Sequence, residues 1–534
     1  MRPPVAEFRP GVGGWAAGIG IAICIALTWL SRLALNVDGV AYLDLARAAR
    51  AGDWRSFVQG YWSPLYPAII GGLSAITGGT PASLIALSHF VNLIAAIAAI
   101  ILLWWWGRQS ARPYFTPAIL AVFLLASTGL PRIEAVTPDV LLLAAMSWIG
   151  FEFLHHRGQR VLPTGLAMGL SFLAKTSVWP WFLLSIPLRL WSADGPKERR
   201  GVLVSTGVAL ILAGIWVVPL SLKTGGPTLG SAGRLNYEWY IESSDARTPD
   251  THTGHHEAAR SIPIDSARSV EVLTFVGADR WTYAPWSDPT AWNAGILSSN
   301  ASPPLALELI AYWGRQARRT FGFWILPVLL GVLLPCALAF GSGGLPSRLI
   351  REQRTRTTTL LLGLAGILQF VAVHSEPRLI APFVLLLGFA ALDAIFPSIE
   401  QRSGGATRVR VAISVAWLVV LWLSIIRLSA GVKSEAQIEA ATDRILANQT
   451  IAAFNVPQAQ EILVAGPAMP IAPAAFLAGV RIVGQMPPAS LLLAQSLTPD
   501  QQETLLREAA AGRVRIVWIT DWTGAVRVVQ IPAP

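Results

Sequence analysis

The sequence predicts a polytopic α-helical membrane protein of about eleven transmembrane helices with a small C-terminal α/β domain on the extracytoplasmic side. Three observations predict it. Of 534 residues, 53% are hydrophobic and 13% charged, well under the roughly 25% charged residues of soluble domains. Apolar runs long enough to cross a bilayer recur along the chain, and basic residues gather in alternate links between them. Eleven spans of about 20 residues would use roughly 220 residues and leave about 310 for water-facing parts. This composition excludes a disordered chain and argues against a wholly soluble enzyme. A net charge of +10 would suggest nucleic acid in a soluble protein; here the basic residues sit between apolar runs, so no nucleic-acid partner is read. Cys24 and Cys336 lie inside apolar runs and read as small core residues, not as a disulfide or a metal pair.

The first span is Gly14 to Leu35, an uncleaved anchor because no small-x-small cleavage site follows it. Further spans are expected at about 82–106, 114–130, 137–154, 161–174, 177–191, 201–222, 321–341, 357–373, 378–396 and 409–429. The positive-inside rule sets their orientation. With Arg2 and Arg9 in the cytoplasm, the cytoplasmic links carry Arg108 and Arg112, Arg157 and Arg160, and Lys197, Arg199 and Arg200. They continue with Arg348, Arg351, Arg354 and Arg356, then Arg402, Arg408 and Arg410, whereas the opposite short links hold little beyond Arg132, Lys175 and Arg378. The N-terminus is therefore expected inside and the C-terminus outside. Trp104, Trp105 and Trp106 fit an interfacial aromatic belt at the cytoplasmic end of the second span.

Residues 1–430 read as the membrane domain, with outer loops 36–81 and 223–320, and residues 431–534 as the soluble domain. In the latter, Gln437 to Phe454 has helical spacing, and Glu461 to Ala465 and Val480 to Val483 read as short strands. Thr498-Pro-Asp-Gln501 is a capping box that opens a helix through about Ala511. Arg513 to Ile519 and Ala525 to Ile531 alternate like a hairpin about Asp521-Trp-Thr-Gly524.

Ionisable groups at span ends are functional candidates. Asp38 and Asp44, Glu134 and Asp139, Lys175, and Glu376 with Arg378 come from four distant stretches yet are all expected at the outer face. Carboxylates for proton abstraction beside cations that hold an anion suit group transfer from a phosphorylated lipid. Each residue also has a plainer reading. Asp38 would cap the helix from Val40, Asp139 would cap the fourth span, Lys175 would snorkel to the headgroups, and Arg378 would pair with Glu376. His252, His255, His256 and Glu257 have a spacing suited to a divalent metal, in a segment that otherwise reads as a solvated loop.

Asp38-Gly-Val-Ala-Tyr42, followed by Gly52-Asp-Trp54 and Ser63-Pro-Leu-Tyr-Pro67, resembles the first outer loop of the GT-C glycosyltransferases. The likeness is to the bacterial branch related to protein O-mannosyltransferases and the lipid A aminoarabinose transferase. Thr137-Pro-Asp-Val-Leu-Leu142, Gly165-Leu-Ala-Met-Gly-Leu170 with Ala174-Lys-Thr176, and Glu376-Pro-Arg-Leu-Ile-Ala-Pro382 resemble later elements of that branch, in its order, over about residues 10 to 400. The resemblance implies an inverting transferase in the bacterial cytoplasmic membrane, taking a sugar from a polyprenyl-phosphate donor to an envelope glycan, lipid or protein outside it. It places the general base on Asp38 and the donor phosphate on Lys175 and Arg378, with Tyr42, Glu134, Asp139 and Glu376 in support. Metal use varies within the family. Leu379 stands where the family has tyrosine, which removes a hydroxyl contact to phosphate. The single acid before Gly39, where the protein mannosyltransferases have two, weakens a protein acceptor. The competing reading is a transporter or flippase of a lipid-linked saccharide, but such proteins place ionisable groups near the midplane and show repeated halves. A non-catalytic scaffold whose C-terminal domain binds a wall partner is a third reading.

Overall fold

The computed structural model describes residues 11–110, 115–129, 133–156, 160–242, 259–265, 268–275, 279–293, 306–318, 350–374, 376–400, 413–426, 428–429, 461–510, 516–520 and 526–530. Among the described residues, five helices are long and apolar enough to cross a membrane: Val12–Leu30, Pro81–Gln109, Pro196–Thr224, and the stretches Arg354–Val373 and Pro377–Ala394. Shorter helices at Phe115–Leu124, Asp139–Leu154, Val161–Ala174, Trp179–Ser192 and within 413–426 match other expected spans. The expected span at 321–341 and the helix at 437–454 lie outside the described residues.

Local chemistry sets the helix limits. Thr80 caps Pro81–Gln109 by accepting the Ser83 N–H at 3.2 Å, with Pro81 in the first turn. Gly225, at φ +76°, ends Pro196–Thr224 in the left-handed region. Helix Val161–Ala174 packs on Pro196–Thr224 through Gly165 and Gly169. A Cβ on the first would lie 2.6 Å from the Ser205 carbonyl oxygen, and one on the second 2.6 Å from the Leu212 side chain. Small residues four apart let two helices approach closely where an apolar solvent offers no hydrophobic drive.

The tryptophan triplet behaves differently from a belt. Trp105 is 40% exposed, but Trp106 is buried and meets Phe115, Phe151 and Phe389 edge-on. Its position on the inner stripe of the helix overrides its preference for an interface. Cys24 is buried, as expected, while Cys336 lies outside the described residues.

Above one end of the bundle lies a second layer. Helices Val37–Arg50 and Leu65–Thr77 pack on each other there. Next to them sits a six-stranded mixed sheet of β1 (Ala259–Pro263), β2 (Ser269–Thr274), β3 (Glu461–Ala465), β4 (Arg481–Met486), β5 (Ile516–Thr520) and β6 (Val526–Gln530), in the order β1-β2-β4-β3-β5-β6. β3 is parallel to β4 and β5, and the other pairs are antiparallel. The sheet is not confined to residues 431–534, because β1 and β2 come from the long loop 223–320 and β2 pairs with β4. The capping box is present: Gln501 N–H reaches Thr498 Oγ1 at 3.4 Å, Thr498 N–H reaches Gln501 Oε1 at 3.1 Å, and the helix runs Pro499–Ala510. β5 and β6 form the expected hairpin.

Candidate active site

Where the bundle meets this layer there is a cavity of about 930 Å³. Its walls are helix ends. Asp38 lies in the first turn of Val37–Arg50, Asp139 opens Asp139–Leu154, Lys175 follows Val161–Ala174, and Glu376 with Arg378 begins Pro377–Glu400. Asp38, Tyr42, Asp139, Lys175, Glu376 and Arg378 all line this one space. Glu134 does not, and His252, His255, His256 and Glu257 lie outside the described residues. Among the described residues, no group of three or more His, Cys, Asp or Glu side chains is placed to hold a metal ion.

The plainer readings fare unevenly. Asp38 is not the cap of its helix: Asn36 occupies that position, and its Oδ1 instead accepts the Val136 N–H at 2.9 Å. The Asp38 carboxylate accepts from Arg378 Nη1 at 2.5 Å and from Trp286 Nε1 at 3.2 Å. Asp139 makes no cap either; it accepts from Thr137 Oγ1 at 2.8 Å and from Lys175 Nζ. Lys175 is 14% exposed and turned inward, so it does not snorkel. Arg378 does pair with Glu376, through Nε at 2.6 Å, while the same guanidinium holds Asp38.

Three carboxylates thus meet two cations in one small volume. Glu376 also accepts from His374 Nε2 at 3.0 Å, and the His374 ring stacks on Tyr240 with centroids 3.8 Å apart. Burial pushes the Glu376 carboxyl up, but the His374 hydrogen bond and the Arg378 guanidinium outweigh it and hold the group well below the usual carboxylate range. Burial and neighbouring carboxylates push Tyr240 up to about 12, so its phenol stays protonated at neutral pH.

Sequence motifs far apart are joined by specific bonds. The Thr176 N–H donates to Ser63 Oγ at 2.9 Å, which ties the Ser63-Pro64 turn to the Lys175-Thr176 corner. Ser231 N–H donates to the Gly60 carbonyl at 2.7 Å, and Gly230, at φ +125°, passes so close that a Cβ would sit 2.6 Å from that oxygen. This contact brings the segment around 227–240 in as one wall. Trp286, His374, Tyr240 and Met469 are cavity residues that sequence reading missed. The abundance of Trp and Pro in the 223–320 loop was a signal that the loop folds. It carried no information on which aromatic ring turns inward.

Neither a protein-family model nor a curated protein matches the sequence. Solved structures do match in fold. The crystal structure of ArnT from Cupriavidus metallidurans bound to undecaprenyl phosphate aligns over 98% of this chain and 99% of that one, with 13% identity and a TM-score of 0.53. The apo state of the same protein aligns over 96% and 93%, again with 13% identity, at 0.52. The chain therefore shares the fold of ArnT. At such identity the likeness establishes the fold and leaves the reaction to be argued from the site.

Proposed function

We propose that the protein is a multi-pass glycosyltransferase of the bacterial cytoplasmic membrane, with its N-terminus inside and its sheet outside. It moves a sugar from a polyprenyl-phosphate donor to a glycan, lipid or protein of the envelope. One observation carries the reading: four sequence segments spread from Asp38 to Arg378 deliver their charged side chains to one cavity at one end of the helix bundle. A carrier cavity would be expected between the helices near the midplane. An end-on cavity beneath a folded layer suits chemistry at the membrane surface, with the lipid entering from the side and the acceptor from above. The fold shared with a protein crystallised with undecaprenyl phosphate supports the same donor class.

In this reading Asp38 is the general base. An acceptor hydroxyl attacks the anomeric carbon while the bond from that carbon to the donor phosphate oxygen breaks. The hydroxyl proton passes to Asp38, and the polyprenyl phosphate leaves as an anion. Attack opposite the leaving group inverts the anomeric centre. Negative charge grows on the phosphate oxygens as the bond breaks, so cations there stabilise the transition state more than the ground state. Arg378 suits this role because its contacts with Asp38 and Glu376 use Nη1 and Nε and leave the donors of Nη2. Lys175, lining the same cavity, supplies a point charge.

The test is Asp38→Asn in purified full-length protein. Release of undecaprenyl phosphate from a polyprenyl-phosphate sugar fraction of the producing cells should fall by about 10²–10⁴-fold. Binding of undecaprenyl phosphate itself should survive. Turnover at the wild-type rate would remove Asp38 as the base.

A further inference from the structure

Asp44 lies on the same helix as Asp38 but does not line the cavity; it is 2% exposed. A buried carboxylate is costly unless several donors meet it, and here they do. Asp44 accepts from the Thr282 N–H and Oγ1, both at 2.8 Å, and from Ser287 Oγ at 2.7 Å, with Arg47 Nη1 3.5 Å away. These bonds grip both ends of the short segment 282–287. Trp286, within it, reaches back to the cavity and donates Nε1–H to Asp38 Oδ1. The Trp286 carbonyl accepts from Trp62 Nε1 at 2.9 Å, and the Ser287 carbonyl from Gln59 Nε2 at 3.0 Å. From behind, the Ile482 N–H of β4 donates to the Thr282 carbonyl at 2.9 Å, and the Arg47 guanidinium lies 3.9 Å from the centre of the Phe476 ring. The segment is therefore held from the first outer loop, from its own helix partner and from the sheet.

We infer that Trp286 is a positioning residue for Asp38, and that Asp44 is the buried anchor that aims Trp286. The inference rests on Asp38 being the base. The torsion that turns a carboxylate about its own axis has a broad minimum, so one contact leaves it free to rotate. Arg378 holds Oδ2 and Trp286 holds Oδ1. Held at both oxygens, the carboxylate offers its remaining lone pairs in a set direction to an incoming hydroxyl. The indole does this without adding charge, so it orients the base without competing with the donor phosphate for Arg378. The folded layer thereby acquires a task beyond covering the cavity: it is the backing on which this segment rests.

Trp286→Phe keeps a ring in place and removes the N–H. In the full-length protein in nanodiscs, kcat for release of undecaprenyl phosphate should fall about tenfold or more. KM and the affinity for added undecaprenyl phosphate should stay within about twofold, because Lys175 and Arg378 are untouched. Ser287→Ala, which removes one of the donors to Asp44, should give a smaller fall in kcat with the same constant KM. If Trp286→Phe does not fold, Ser287→Ala decides alone. Unchanged kcat in the folded variant, or equal losses in kcat and in undecaprenyl phosphate affinity, overturns the positioning role. Asp38→Asn is run in parallel. If it is inactive while Trp286→Phe turns over normally, the positioning role alone fails; if it turns over normally, the base itself has been misassigned.

Discussion

The ion pair between Lys175 and Asp139 offers a sharp test of how the cavity is built. Both partners are largely withdrawn from water, at 14% and 1% exposure, and among the described residues the other donor to the Asp139 carboxylate is Thr137 Oγ1, at 2.8 Å. Lys175→Met removes the cation and leaves a buried carboxylate with a single hydroxyl donor. Breaking a buried pair from one side costs about 3–5 kcal/mol, because the remaining charge loses its compensation. Replacing both partners by neutral groups costs far less, since neither charge is then buried alone. The expected pattern is a loss of about 3 kcal/mol or more for Lys175→Met, with most of it regained when Asp139→Asn is added. Reversible unfolding of the purified protein in mixed micelles gives the four free energies of the cycle. Undecaprenyl phosphate binding gives a second readout, and the double variant should recover stability without recovering affinity. Additivity within about 0.5 kcal/mol would refute the reasoning; the two side chains would then not share a low-dielectric contact.

Two further outcomes follow from the same geometry. Gly169→Leu forces a branched side chain into the contact with Leu212, where even a Cβ would lie 2.6 Å away; it should cost about 1–3 kcal/mol and reduce turnover, since that helix ends at Lys175. Gly207→Leu, where a Cβ meets nothing within 4 Å, is the control and should leave thermal unfolding nearly unchanged. Glu376, whose carboxyl is held well below its usual range, contributes stability that is fully present above the unfolded-state pKa of about 4.3. That contribution is lost only as pH falls toward the lower folded value. The difference in unfolding free energy between wild type and Glu376→Gln should therefore be flat from about pH 8 to 5 and shrink below about pH 4; a difference that shrinks between pH 7 and 5 would contradict the assignment.

Much of this arrangement was legible in the residue order. Uninterrupted apolar runs specify helices because, in hydrocarbon, each backbone N–H must find a carbonyl within its own segment. The first span, expected at Gly14 to Leu35 and found as Val12–Leu30, the capping box at Thr498 and the hairpin β5–β6 could be read because each depends on neighbours a few residues away. The charged candidates were visible because a charge at a span end is costly and needs a purpose. What the sequence left open were the partners. Asp38, Asp139 and Lys175 each had a plausible local use as cap or snorkel, and in the folded protein each is taken instead by a contact from far along the chain. Trp106 shows the same effect in the core, turned inward by its place on the helix.

The sequence by itself determined the helical class of architecture, many of the described helices and the set of charged groups at their ends, because those follow from local patterning and from the cost of charge near a bilayer. Tertiary structure alone decided that β1 and β2 join the C-terminal strands, that Gly60 and Gly230 meet, and that Trp286 reaches Asp38 while Asp44 holds the segment from behind. These contacts link residues 170 or more positions apart. No periodicity encodes such pairings; they arise when buried polar groups, having lost water, must find each other.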